Sequence, residues 1–61
     1  MRLWFARNRD NKLFAYEQEP MSVPSIGCFI RRDGAMYPIS SKLYKELTFE
    51  NSPIQIEMTI V

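Results

Sequence analysis

Sixty-one residues limit this chain to one domain, residues 1–61, near the smallest size at which proteins fold without help. Hydrophobic residues make up 46% and charged residues 25%, which argues against intrinsic disorder, and no apolar run approaches the ~20 residues of a membrane-spanning helix. The formal net charge of +1 excludes a strongly basic nucleic-acid-binding protein.

The first seventeen residues predict a β-hairpin. Residues 2–7 are rich in aromatic side chains and free of glycine and proline, and residues 12–17 repeat that character after a polar turn. Since side chains alternate along a strand, Leu3 and Phe5 fall on one face and Trp4 on the other. Both faces are apolar, so we expect the hairpin to be covered on both sides or to keep an aromatic face for a partner.

The middle of the chain predicts a loop and a second hairpin. Residues 18–25 contain two prolines and no periodicity, which is typical of a loop. An Asp-Gly pair at positions 33 and 34 favours a two-residue type I′ turn. That turn would pair residues 27–32 with residues 35–39.

The last third predicts one helical turn followed by a strand. Leu43 and Leu47 share a helix face over residues 41–47, and a serine precedes them as a possible cap. Residues 54–61 predict a strand, because side chains 54–60 alternate between apolar and polar as in a half-buried strand. The apolar positions are Ile54, Ile56, Met58 and Ile60.

The expected fold class is therefore mainly β. Five short strands would form a meander that curls into a sheet or a small open barrel. One short helical turn, at about residues 41–47, would precede the C-terminal strand.

Two stretches resemble a family of short uncharacterised proteins from anaerobic bacteria and their phages. Residues 41–56 are similar to that family's closing stretch S-x-L-F-P-E-V-T-W-E-D-E-P-I-E-V, with Tyr44, Lys45 and Phe49 standing where Phe, Pro and Trp are usual. Residues 5–16 are similar to its opening, in which an aromatic residue precedes R-D-x-N-G. The resemblance implies a β-rich fold and a mobile-element context. It implies no activity and no site residues.

The residues that carry chemistry are scarce. Histidine, the commonest general base and metal ligand, is absent. Cys28 is the only cysteine, which excludes an internal disulfide or a cysteine-based zinc cluster and predicts a reducing, cytoplasmic location. Glu17 and Glu19 are better explained as a solvated pair than as a catalytic dyad. We expect no enzymatic activity, no catalytic or metal-binding residues and no cofactor.

Two functions stay open. The first is a non-catalytic protein-interaction module that binds another protein or a second copy of itself, with the phage or mobile-element origin that the resemblance implies. No membrane partner is expected. The alternative is a β-sheet protein that binds single-stranded nucleic acid, because arginines on the predicted hairpins are interleaved with four aromatic residues that could stack on bases, Trp4, Phe14, Tyr16 and Phe29. The candidate interaction surface for either function comprises Arg2, Trp4, Arg7, Arg9, Phe14, Tyr16, Arg31 and Arg32.

Overall fold

The structure, a computed structural model, describes residues 2–57, which form two antiparallel sheets. The strands are β1 (Arg2–Arg7), β2 (Leu13–Tyr16), β3 (Met21–Val23), β4 (Cys28–Ile30), β5 (Met36–Ile39) and β6 (Ile54–Glu57). One sheet has the order β5-β2-β1-β6, and β3 pairs with β4 in a separate two-stranded ribbon. The mainly β fold class is confirmed, with six strands and without closure into a barrel. Residues 2–57 contain no helix, and hence none that could span a membrane.

The first hairpin forms as predicted. Trp4 lies opposite Tyr16 in the register of β1 and β2, and the Asn8 amide donates to the Lys12 carbonyl at 2.9 Å to close the turn. Asn11 takes a left-handed backbone conformation with φ of 76°, which asparagine tolerates better than most residues.

The C-terminal strand β6 lies beside the N-terminal strand β1. Leu3 is opposite Ile56 and Phe5 is opposite Ile54, so both isoleucines share the face of the sheet that carries the first core cluster. The predicted alternation is confirmed for these two positions. Met58 and Ile60 lie outside the described residues.

Both faces of the large sheet are covered by apolar residues, which confirms the first of the two expectations for the opening hairpin. One cluster contains Leu3, Phe5, Leu13, Ala15 and Leu47, with Ile39, Ile54 and Ile56 packed against it. The other contains Ala6, Tyr16, Phe29 and Phe49, with Trp4 and Phe14 packed against it. The sheet is therefore the middle layer of the domain.

The prediction of a hairpin around positions 33 and 34 is wrong. Strand β4 pairs with β3, and β5 crosses to the large sheet, where Met36 lies opposite Tyr16. The Glu17 side chain holds the start of β5, because its Oε1 accepts from the Ala35 amide at 2.8 Å while the Glu17 amide donates to the Ala35 carbonyl at 3.0 Å.

Residues 18–25, predicted to be a loop, contain strand β3. The prolines flank this strand rather than interrupt it, and each favours extended backbone in the residue before it. A turn then reverses the chain into β4, closed by the Gly27 amide donating to the Val23 carbonyl at 3.1 Å. Gly27 has φ of 68°, and a Cβ there would lie 3.0 Å from the Arg9 side chain, so the turn requires glycine.

The predicted helical turn at residues 41–47 is also wrong, since the structure has two separate turns there. The Leu43 amide donates to the Ser40 carbonyl at 3.1 Å and the Leu47 amide to the Tyr44 carbonyl at 2.9 Å. In an α-helix the Leu43 carbonyl would accept from Leu47. Here it accepts instead from the Arg7 guanidinium at 2.7 Å. The acceptor that would continue a helix is thus occupied by a side chain from β1.

Candidate interaction surface

Arg7 belongs to the interior and not to a surface, with only 5% of it exposed. Its guanidinium donates to six oxygen atoms of the chain, and no carboxylate among the described residues forms an ion pair with it. The acceptors are the carbonyls of Asn11, Ser41, Leu43, Tyr44 and Leu47 and the Asn11 side-chain oxygen. Arg7 therefore fixes the 41–47 loop to the sheet.

The sequence contained a signal for the burial of Arg7 that its charge obscured. Leu3, Phe5 and Arg7 alternate along one strand, so the pattern that buries the first two also directs the third to the same face. A buried arginine needs oxygen acceptors around it. Four of the six acceptors come from a loop more than thirty residues away, which no local pattern indicates.

Tyr16 is also interior, with no exposed surface. Its hydroxyl is buried and forms no hydrogen bond among the described residues. Burial, with a smaller contribution from Cys28, raises the pKa of Tyr16 above its ordinary value. Since Phe29 is 6% exposed as well, two of the four aromatic rings expected to stack on nucleic acid are unavailable for contact.

Replacing Tyr16 by phenylalanine should make stability less sensitive to alkaline pH. The unfolded tyrosine titrates near pH ~10 and the folded one higher. Its contribution is therefore complete below about pH 10 and is lost as the pH rises through the folded pKa, because the unfolded state releases its proton first. At pH 7, Tyr16→Phe should be neutral or stabilising by up to ~1 kcal/mol, since the hydroxyl has no partner.

Urea denaturation of Tyr16→Phe and the wild type at neutral pH and at about pH 11 checks this prediction. The two proteins are identical at every other position, so the difference between their pH dependences isolates Tyr16. Equal loss of stability on going to high pH would contradict it.

The remaining aromatic candidates are half-buried. Trp4 and Phe14 pack against the second core cluster, and the Phe14 ring lies 6.4 Å from the Tyr16 ring in a tilted arrangement. Both side chains lie at the edge of the core. They do not form an open stacking platform.

Arg9 is exposed but held in place by several contacts. Its guanidinium lies 4.5 Å from the centre of the Phe49 ring, donates to the Pro24 carbonyl at 3.0 Å and stands 3.8 Å from the Glu50 carboxylate. The arginine thus joins the β1–β2 turn to two other segments. It covers part of the second core cluster.

The other arginines lie apart from one another. Arg2 is at the start of β1, where it pairs with Glu57 at 3.2 Å. Arg31 and Arg32 follow β4, and Arg31 donates to the Gly34 carbonyl at 2.7 Å. The eight residues predicted to form one interaction surface therefore lie partly in the core and partly at separate positions on the outside.

An apolar surface does exist on the ribbon. Met21 lies opposite Ile30 and Val23 opposite Cys28, so these four side chains share one face, while Phe29 points from the other face into the core. Met21 is 45% exposed and Ile30 is 43% exposed. We refer to Met21, Val23, Cys28 and Ile30 as the outer face. Sequence reasoning missed this face because it placed half of it in a loop.

The surroundings of the outer face are open and basic. Among the described strands β3 pairs only with β4, so its second edge has no strand beside it. Ile26, in the turn between the two strands, is 62% exposed and extends the apolar area. Arg31 and Arg32 continue from Ile30 at the opposite end of β4.

No metal-binding cluster is found in residues 2–57, and no related protein is found for the chain. Across residues 2–57, no group of three or more histidine, cysteine, aspartate or glutamate side chains is placed to hold a metal ion. Comparison of the chain with family models, with curated proteins and with solved structures finds no match.

Proposed function

We propose that this chain is a small, non-catalytic protein-interaction module that binds its partner through the outer face of the ribbon. The observation that carries the proposal is the set of four neighbouring side chains, none of them charged, on a ribbon with one open edge. Clustered apolar side chains on the outside of a small domain mark contact surfaces. An open strand edge provides backbone hydrogen-bonding groups beside them.

The chemistry of this surface favours an extended segment of another protein. Such a segment can add a strand along β3 and place alternate apolar side chains on Met21 and Ile30. Arg31 and Arg32 at the end of β4 favour acidic residues at the matching end of the partner. A standard interface takes ~800 Å² from each side, about a fifth of this chain's 4303 Å². The outer face is smaller, so the proposed contact belongs to the transient class.

The proposed setting is the cytoplasm of a bacterium that carries a phage or another mobile element. The single cysteine, Cys28, suits a reducing compartment, and the resemblance of residues 5–16 and 41–56 to phage-associated proteins supports the context. A homodimer is the second kind of protein partner. Single-stranded nucleic acid is less well supported, because Tyr16 and Phe29 are buried.

Replacing Ile30 by glutamate should weaken partner binding at least about tenfold, since it puts a carboxylate in the middle of the proposed contact. The control is Leu43→Glu, the same change at a side chain that is 51% exposed and lies in the 41–47 loop. Affinity purification from the native host with the wild type and both variants, followed by titration of the recovered partner, measures the effect.

Both variants should keep the wild-type circular dichroism spectrum, because neither side chain is part of a core cluster. Light scattering over a range of concentrations tests the homodimer in the same samples. If Ile30→Glu and Leu43→Glu bind the partner equally well, the outer face is not the contact surface. If light scattering shows only monomer and affinity purification recovers no partner, the interaction function would be excluded.

A further inference from the structure

A surface pocket of about 240 Å³ lies between the β1–β2 turn and the segment of residues 45–50. None of its lining residues belongs to the outer face of the ribbon. Polar side chains dominate it, with Leu47 and Phe49 on its apolar side. Nothing in the proposed interaction function uses these groups.

Asn8 contributes an unpaired hydrogen-bond donor to this pocket. The residue is only 9% exposed, and its Oδ1 accepts from the Phe29 amide at 2.9 Å. Because the donor is a backbone N–H, that atom of the carboxamide must be oxygen, and the NH₂ group is the other end. The NH₂ makes no hydrogen bond with any residue of the described chain, yet it is not sealed from solvent. It is therefore available to a ligand in the pocket.

Asn11 and Lys45 supply two further donors. The Asn11 Oδ1 accepts from Arg7 at 3.2 Å, which leaves the Asn11 NH₂ without a partner in residues 2–57. Lys45 also lines the pocket, and its ammonium forms no ion pair or hydrogen bond within the same part of the chain. Three side chains thus bring unused donors to one pocket.

The charge around the pocket is positive. Arg7, Arg9 and Lys45 line it against a single carboxylate, Glu50, which stands 3.8 Å from Arg9. The charge of Arg7 is surrounded by carbonyl oxygens and has no carboxylate partner among the described residues. Since Arg7 is mostly buried, solvent screens its charge less than it screens that of an exposed arginine.

We propose that this pocket binds a small phosphate monoester. The phosphoryl group would accept from the NH₂ groups of Asn8 and Asn11 and from the Lys45 ammonium, while Arg7 and Arg9 contribute positive charge. A phosphate monoester offers three acceptor oxygens and a charge near −2, which matches three donors and a local excess of two positive charges better than a carboxylate does.

NMR titration of the ¹⁵N-labelled full chain at about pH 7.5 tests the proposal. Glycerol 3-phosphate and inorganic phosphate should each shift the Asn8 and Asn11 side-chain NH₂ signals saturably, whereas chloride at equal ionic strength should not. Acetate should bind at least about tenfold more weakly, because it carries a single negative charge. Shifts that chloride reproduces, or equal affinity for acetate and phosphate, would overturn the proposal.

Asn11→Asp is the decisive variant. Aspartate keeps the oxygen that accepts from Arg7 and tolerates the left-handed backbone, so the domain should stay folded. It replaces one NH₂ donor by a carboxylate, and phosphate affinity should fall at least about tenfold. Lys42→Gln also removes one positive charge but lies outside the pocket, in the 41–47 loop that carries Lys45, and should bind like the wild type.

Unchanged phosphate affinity in Asn11→Asp would overturn the assignment. Ile30→Glu should bind phosphate normally, since the outer face and the pocket share no residue. The phosphate proposal and the protein-interaction proposal therefore fail or succeed separately.

Discussion

Replacing Arg7 by lysine should lower the free energy of unfolding by roughly 3–5 kcal/mol, which is most of what a domain of this size possesses. Lysine keeps the positive charge but has three donors on a flexible chain, whereas the arginine fork directs five. At least two of the six acceptor oxygens would lose their partner. The ammonium would also be buried among them without a carboxylate.

Urea denaturation followed by circular dichroism measures this loss. Arg9→Lys is the matched control, because Arg9 is exposed and its ion pair and ring contact contribute little individually, so the expected change is below about 1 kcal/mol. An Arg7→Lys protein with the urea midpoint of the wild type would show that the carbonyl oxygens of the 41–47 loop find other donors easily.

The contacts of Arg7 also show why the 41–47 segment could not be predicted from its own sequence. Leu43 and Leu47 have helical spacing, and in isolation the backbone would gain from the i, i+4 hydrogen bond between them. In the folded chain one arginine satisfies the carbonyls of both residues. These carbonyls are therefore satisfied without a helix, and Leu47 reaches the first core cluster from a turn.

Local and distant signals also compete in the middle of the chain. The Asp-Gly pair at positions 33 and 34 favours a tight hairpin, and Gly34 does take positive φ of 71°. The strand that follows pairs with β2, which brings Ile39 against the first core cluster. Alternation predicted the β1–β2 hairpin and the facing of Ile54 and Ile56 because those patterns depend on one strand at a time. Strand order depends on which edges meet, and no single strand carries that information.

An apolar surface was expected from the sequence, but on the first hairpin and not on the ribbon. Alternation placed apolar side chains on both faces of the first hairpin, but the structure covers both faces and instead exposes Met21 and Ile30 together on the ribbon. The aromatic residues drew attention because of their size, but Tyr16 has the volume to fill the core and does so. Two prolines concealed the ribbon, since they flank a three-residue strand that is too short to show a period.

Replacing Ile56 by aspartate should destabilise the domain by about 2–4 kcal/mol. Ile56 lies opposite Leu3 and packs against the first core cluster, so the variant places a carboxylate beside buried apolar side chains. Aspartate also has a low preference for strands. Because Ile54 and Ile56 pack β6 against the core on this face, loss of the contact should weaken the attachment of β6 to β1.

The adjacent residue provides the control. Glu57→Lys reverses a charge on the opposite face of β6. There the Glu57 carboxylate pairs with Arg2 at 3.2 Å, and both side chains are more than 60% exposed. Such a pair contributes less than about 1 kcal/mol, so Glu57→Lys should unfold close to the wild-type urea concentration. Comparable destabilisation by Ile56→Asp and Glu57→Lys would mean that β6 does not present its isoleucines to the core, and the register of β6 on β1 would then have to change by one residue.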